Sequence, residues 1–459
     1  MSNFRIEHDS MGKVKVPKDA YYQAQTHRAL ENFQFSDRMF PHAIIITLID
    51  IKSCAAQVNC SLGLIDTRLA DSIQAAASQA KKLDFSKHFP LDVFQTGSGT
   101  SSNMNVNEVL AKLAADTINQ EVHPNDHVNL GQSSNDVIPS AIQISAVRLL
   151  QHLYAAITPL NQRLILLADE HSDTVKTGRT HLMDAMPITL GQELSCWRIQ
   201  LDSAKERIKL AEQSLLQLPI GGTAVGTGVN THKDFAALCC KKLKLLDHHD
   251  WQPAATPAVL MSSQDHHLAL MAALKNLATC LLKIANDLRW MNSGPQAGLQ
   301  EIQLQPLQPG SSIMPGKVNP VIPEAVAMIA AEIMGNEQTV SVAAQSSNFQ
   351  LNVMLPIIGE KINSSIKLLT NACNALTKLV FSDLHINKQS LAQKVGKNPM
   401  LATALNSKVG YDMAAKIAKM AIDEHKTVLD VAIRETSLSE TELRAILDPI
   451  GLTNTILDK

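Results

Sequence analysis

Aromatic residues are scarce in this chain, at 4% for Phe, Trp and Tyr together. With Ala, Leu and Ile abundant, that shortage disfavours a β-sandwich and favours helices packed closely on helices. An excess of charge of either sign is also missing, since 41 Lys and Arg against 43 Asp and Glu leave a net charge of -2. No basic block interrupts the chain, so nucleic acid is not an expected partner. The seven cysteines lack framework spacing, and only Cys239 and Cys240 are adjacent. That pattern points to free thiols in a reducing compartment and hence to a cytoplasmic setting. No uninterrupted apolar run approaches about 18 residues, so no membrane span is expected. Residues 1–10 have no apolar core and carry two acidic groups, Glu7 and Asp9, unlike a secretory signal or a transit peptide. What the chain does have is bulk. Its 459 residues, 45% hydrophobic and 18% charged, suffice for a large core and suggest two to four domains of about 150 residues each.

Residues 1–40 read as polar and irregular, with 16–22 turning into a short helix. Residues 42–82 read as two helices separated near Gly63. Apolar residues at a 3–4 spacing then mark long helices, first at Ile138, Ile142, Ala146, Leu149, Leu153, Ala156, Leu160, Leu164 and Leu167, where Pro159 predicts a kink. The pattern recurs from Leu190 to Leu215 and from Leu270 to Met291, with the near-regular 4,3 alternation of helices packed at a shallow angle. Two further helices, at about 323–346 and 352–380, complete a set of five. The expected architecture is all-α: an N-terminal helical domain at 1–136, a central five-helix bundle at 137–390 and a small C-terminal helical domain at 391–459. In the last, Ser439 and Glu442 have capping-box spacing. A bundle this long and apolar predicts oligomerisation through its exposed faces.

Four polar knots punctuate this apolar frame, at 96–105, 123–135, 178–181 and 310–319, each expected at the end of a long helix. The first packs Thr96, Gly97, Ser98, Gly99, Thr100, Ser101 and Ser102 together. Its glycines let backbone N–H groups approach an anion, and its hydroxyls add donors. Residues 96–105 read as one loop, with helix resuming from Glu108 to Asp116, and that loop is neither a phosphate-binding P-loop, since no Gly-Lys-Ser/Thr follows, nor a dinucleotide fingerprint. Across all four knots Ser, Thr, Asn and His dominate, with Lys317 and Arg179 the cations. Hydroxyls, amides and helix N-termini suit a small dicarboxylate, and the cation Lys317 is available where charge grows if a proton leaves the carbon next to a carboxylate. His181 is a natural proton carrier near neutral pH. Taken singly, each knot is more often an ordinary turn and each histidine a structural one. The paired histidines at 248–249 and 266–267 lack metal-site spacing, and no cofactor signature is present.

The order of the knots carries more than any one of them. Gly310-Ser-Ser-Ile-Met-Pro-Gly-Lys-Val-Asn-Pro320 resembles the signature loop of the fumarase/aspartase superfamily. Thr-Gly-Ser-Gly-Thr at 96–100, His-Pro-Asn-Asp at 123–126, Gln-Ser-Ser-Asn-Asp at 132–136, Gly-Arg-Thr-His at 178–181 and the glycine-rich run at 221–228 follow the same family's order. Together they resemble its class II fumarase branch over essentially the whole chain. The resemblance implies a three-domain fold whose central helices form a twenty-helix core in a homotetramer, with active sites shared by three subunits and no metal or cofactor. It implies a lyase of the tricarboxylic acid cycle, catalysing reversible anti addition of water to fumarate to give L-malate. Residue by residue, it makes Ser311 the base and His181 the group on the water side, polarised by Glu324. Lys317 would meet the developing charge. Ser98, Gly99, Thr100, Ser133, Ser134, Asn135, Thr180, Ser312, Lys317, Val318 and Asn319 would hold substrate, and His123, Pro124, Asn125 and Asp126 a secondary dicarboxylate site.

The departures are specific. Gln23 stands where the family usually has Gly, and Gln296 where it commonly has Arg. No Arg or Lys lies between Lys112 and Arg148, so Gln120 occupies the stretch where a basic residue usually precedes the secondary site. His127-Val-Asn129 and the run from Asn319 to Glu324 look more like aspartase, which makes aspartate ammonia-lyase the alternative reading. His181 and His123, where aspartases resemble Gln and Asn, favour water chemistry.

Overall fold

The structure, a computed structural model, describes residues 3–453. Helices dominate it, and the five long ones are Ser134–Glu170, Leu190–Ser214, Asp265–Met291, Val321–Gln345 and Leu355–Leu379. Their apolar stripes are the core: Leu194, Trp197, Leu201, Ala204 and Ile208 on the second, and Leu270, Leu274, Leu277, Leu281, Ile284 and Leu288 on the third, are all buried. The first continues through Pro159, where the missing N–H removes one rung but does not end the helix. Pro323 sits in the first turn of Val321–Gln345, where no intrahelical N–H bond is lost.

The described residues fall into two compact units. One comprises those of Met1–Tyr154 with Glu206–Ala278 and Ala331–Thr370. The other comprises Ala155–Lys205, Thr279–Ala330 and those of Asn371–Lys459. Each long helix contributes a segment to both, so this grouping by packing differs from a division by chain order at 136 and 390.

Three local expectations are corrected. Residues 4–17 are a β-hairpin, not irregular chain: Phe4–Asp9 pairs antiparallel with Gly12–Pro17 around a two-residue turn. The signal was the alternation Lys13-Val14-Lys15-Val16, whose valines are buried. The Arg5 guanidinium locks the hairpin by donating to the carbonyls of Pro17 (2.8 Å), Ala20 (2.6 Å) and Tyr22 (2.6 Å). Second, the hydroxyl-rich run from Thr100 is already helix, within Thr100–Ile118. Gly99, with φ +71°, turns the chain so that Thr100 starts it. Third, the knot at 178–181 lies on a hairpin, Val175–Thr180 paired with Met183–Thr189, rather than at a helix end.

Two helices, His42–Ser61 and Asp265–Met291, are long and apolar enough by mean hydropathy to cross a bilayer, although neither is an uninterrupted apolar run. His42–Ser61 buries Asp50, Lys52 and Asn59 against protein partners, as a core helix does. In the C-terminal region Leu401, Leu405, Ile417, Val431 and Leu443 form a core of their own. The predicted capping box is present there: Glu442 N–H donates to Ser439 Oγ (3.3 Å) and Ser439 N–H to Glu442 Oε2 (2.9 Å).

Candidate functional site

In the first unit, the loop at 96–100 is held by close backbone approach. The Leu355 N–H donates to the Gly97 carbonyl at 3.0 Å, and a Cβ on Gly97 would collide with the Val353 carbonyl. Ser98 Oγ and Thr100 Oγ1 lie 2.8 Å apart, so two hydroxyls meet at the N-terminus of Thr100–Ile118. Thr96, Thr100, Ser101, Gln25, Arg28 and Asn32 line a cavity of about 360 Å³ there. Arg28 is occupied by Asp9, 2.7 Å from its Nε.

The knot at 123–136 is a tight turn feeding a helix. Pro124–Val128 is a short wide turn, with Asp126 N–H donating to His123 Nδ1 (3.1 Å) and His123 N–H to His127 Nδ1 (2.9 Å). Asn125 and Asp126 are exposed. The helix begins at Ser134, and Ser133 caps it: its Oγ accepts from Asn135 N–H (3.2 Å), while Asp136 Oδ1 reaches back to Ser133 N–H (2.9 Å). Asp136 Oδ2 also accepts from Gly221 and Thr223 N–H, each at 2.9 Å. That carboxylate therefore anchors the glycine-rich turn at 221–228 beside Asn135, whose amide donates to the Ala224 carbonyl (2.8 Å).

Beneath this knot lies a group that sequence reasoning missed. Lys52 is fully buried, and its ammonium donates to Asn129 Oδ1 at 2.7 Å. Asn103 and Asn107 turn their amides to the same oxygen, at 3.3 and 3.2 Å, and Asn103 also donates to Ser134 Oγ (3.0 Å). Burial drives the Lys52 ammonium down to about 7, with the Asp136 charge opposing. Burial likewise raises the Asp136 carboxyl to about 6, against its backbone N–H bonds and Lys52. So the stretch without Arg or Lys between 112 and 148 does receive a cation, from another helix. Its signal was one lysine inside the apolar run from Ile44 to Val58.

In the second unit, His181 and Leu182 are the two central residues of the hairpin turn, with φ +55° and +61°. Two consecutive positive-φ residues are what mirror-image hairpin turns require, and glycine or asparagine is the usual choice. His181 thus occupies a conformation that costs about 1 kcal/mol or more and places its ring, with Thr180, in the open. Arg179, the second cation of the polar knots, is committed to a protein partner: its guanidinium lies 2.5 Å from the buried Glu301 carboxylate.

The loop at 310–319 closes on itself. Gly310 N–H donates to the Lys317 carbonyl (2.9 Å), and Asn319 Nδ2 donates to the Gly310 carbonyl (2.8 Å). A Cβ on Gly310 would collide with that Lys317 carbonyl. Lys317 Nζ donates to Asn319 Oδ1 at 2.6 Å. At the loop's start Ser311 Oγ accepts two backbone N–H groups, from Ile313 (3.2 Å) and Met314 (3.0 Å). Ser312, Lys317 and Val318 are exposed, and Glu324 lies in the first turn of the following helix. Gly316, Val318, Asn319, Gln300, Gln303 and His385 border a cavity of about 440 Å³ behind the loop. Among the described residues no hydrogen bond or ion pair joins His181 to Ser311 or to Glu324.

This geometry offers hydroxyls and backbone N–H groups for carboxylates, a serine oxygen cradled by two donors, a cation beside an amide, and an exposed imidazole. Comparisons with known proteins agree with it. A family model described as lyase matches residues 12–335, and one described as fumarase C C-terminus matches 401–454. A curated relative from Pseudomonas aeruginosa, fumarate hydratase class II 2, is 48% identical, covering 99% of each chain. Fumarate hydratase class II of Thermus thermophilus is 43% identical, covering 98% of each. Among solved structures, a class II fumarase from Schistosoma mansoni superposes with a TM-score of 0.95 at 36% identity, covering 99% of this chain and all of that one.

Proposed function

Because the chain belongs to the class II fumarate hydratase family, we propose that it interconverts fumarate and L-malate by reversible anti addition of water. The observation that carries the chemistry is the Ser311 hydroxyl. Two N–H donors aimed at one oxygen stabilise negative charge on it, which is what a serine needs to act as a base. In the dehydration direction, Ser311 Oγ takes the C3 proton of malate. The electron pair passes into the adjacent carboxylate, giving an enediolate-like dianion that Lys317 and Asn319 meet. The C2–O bond then breaks, and the leaving hydroxyl takes a proton on the His181 side to depart as water, with Glu324 polarising that histidine. Ser98, Thr100, Ser133, Ser134, Asn135, Thr180 and Ser312 hold the two carboxylates, and His123 to Asp126 form a second dicarboxylate site. Aspartate is not the favoured substrate, because the full-length relatives compared are fumarate hydratases and His181 suits a leaving hydroxyl better than an amine.

The assembly belongs to the same reading. Thr180, His181 and Ser312 are exposed in the single chain, as are the apolar side chains of Leu182 (64%), Met183 (70%) and Ile313 (82%) around them. Proton transfer at a dianion needs water excluded, so we infer a homotetramer in which other subunits cover these tips and complete each site from three chains. Tricarboxylic acid cycle chemistry in the cytoplasm fits the substrate and the scattered cysteines.

The test is absorbance in the ultraviolet band of fumarate, with purified protein and L-malate, then L-aspartate. Fumarate from malate alone is expected. Fumarate with ammonia from aspartate would reverse the assignment, and no signal from either would remove it.

A further inference from the structure

Glu301 is one of the most deeply buried carboxylates in the second unit, with 1% of its side chain exposed, and it faces two cations of one strand. Lys176 Nζ lies 2.7 Å from its Oε2, close though off the hydrogen-bond line, and Arg179 Nη2 donates to its Oε1 at 2.5 Å. Lys176, 2% exposed, also pairs with Glu193 at 2.6 Å. Burial pushes the Glu301 carboxyl up, but the nearby Lys176 charge and the Arg179 guanidinium outweigh it and hold it below the usual carboxylate range. Lys394 joins the cluster from the C-terminal region, its ammonium on the Leu299 carbonyl.

These contacts converge on the strand that leads into the His181 turn. Arg179 precedes His181 by two residues, about 7 Å of extended chain. Between Lys176 and Arg179 the pairing register shifts, and a Cβ on Gly178 would press against the Met186 carbonyl. The other strand is tied as well, by Asn398 Nδ2 donating to the Ala185 carbonyl at 2.8 Å. A turn holding two non-glycine residues at positive φ persists only where its surroundings over-determine it. The strand-side restraint is ionic: Lys176 is shared between Glu193 and Glu301, and Arg179, the link nearest the turn, is held by Glu301.

We propose that Glu301 is a positioning residue for the hydration reaction, clamping Lys176 and Arg179 so that the hairpin turn presents His181 in its working orientation. The inference rests on the role assigned to His181 above. It also gives Arg179 a function, as the link between that carboxylate and the turn. Glu301 acts on the chemical step through the imidazole, so its loss lowers kcat and leaves KM nearly unchanged.

The experiment compares Glu301→Gln, His181→Asn and the double variant by malate dehydration, with melting temperatures as the folding control. Glu301→Gln is expected to lower kcat about 10- to 100-fold, the scale of a misplaced catalytic group, with KM within about threefold. In the His181→Asn background the same change should cost less than about twofold, because the group it positions is gone. If Glu301→Gln does not fold, Arg179→Met serves instead, removing the link nearest the turn while Glu301 keeps Lys176. A loss that multiplies undiminished onto His181→Asn, or that appears in KM alone, overturns the positioning role. Full activity in His181→Asn overturns the histidine assignment, and the inference with it.

Discussion

Replacing Lys52 by Met tests whether a buried cation underlies the site. The side chain is fully buried, and its ammonium has one hydrogen bond, to Asn129. Its pKa falls from 10.5 to about 7 on folding because burial penalises the charge. This is opposite in sign to a lysine that gains a strong partner. From pH 7 to about 10.5 the unfolded chain binds the extra proton, so stability is withheld at the lower end and recovered as pH rises. One unit of displacement is worth about 1.4 kcal/mol, so between pH 7 and 9 Lys52 alone adds roughly 2 kcal/mol. For a chain of 459 residues that is about 2 °C in melting temperature. Methionine fills a similar volume without the charge, and Asp136, left behind, keeps its three backbone donors. Melting curves of both proteins at pH 7 and pH 9 should therefore show the wild type gaining about 2 °C on the variant. Parallel curves, or a wild type losing ground as pH rises, would refute the claim that burial penalises the Lys52 charge and draws its proton off near neutral pH.

Ser311→Ala should leave the melting temperature within about 1 °C, since the residue is on a loop, yet lower kcat about 10²- to 10⁴-fold in the fumarate assay. Gly97→Ala drives a methyl into the Val353 carbonyl, so it should cost roughly 1–3 kcal/mol in denaturant melts and raise KM by displacing Ser98 and Thr100. Asp136→Asn turns one of the two oxygens that accept three N–H groups into a donor, a loss of about 1–3 kcal/mol at neutral pH. Because the native Asp136 pKa is raised from 3.8 to about 6, wild-type stability falls as pH climbs through that window. The Asn variant should lack that fall, which melting curves at pH 4 and pH 6 would reveal.

The long helices were legible because one physical rule, an apolar stripe at 3–4 spacing, produces them and leaves its trace in consecutive residues. The capping box at Ser439 and Glu442 was legible for the same reason, since everything it needs lies within one turn. The hairpin carrying His181 was not. Gly178, Arg179, Thr180, His181 and Leu182 contain none of the Asn-Gly or Gly-Gly signals of a two-residue turn. Its positive φ values at His181 and Leu182 are imposed from outside. The N-terminal hairpin did leave a period-2 trace at Val14 and Val16, too short to stand out from polar surroundings.

The same distinction separates the visible part of the site from its hidden part. Groups proposed to touch substrate sit in compact runs, because a loop that presents several donors to one small dianion must collect them locally. The groups holding those runs in place have no such constraint. Lys52 and Asn129 are 77 residues apart, Asp136 and Thr223 are 87 apart, and Arg179 and Glu301 are 122 apart. Each is a buried charge meeting its partners only after the chain has folded, and in the sequence each is one polar residue among many. Buried charges of this kind add little net stability over a hydrophobic replacement, since desolvation offsets most of the attraction. Their value lies in direction, because an ion pair in a dry interior fixes two side chains at one distance where an apolar contact tolerates sliding. That accounts for their placement under the Ser133–Asn135 segment and under the His181 turn, where a shift of 1 Å would matter more to the reaction than to the fold.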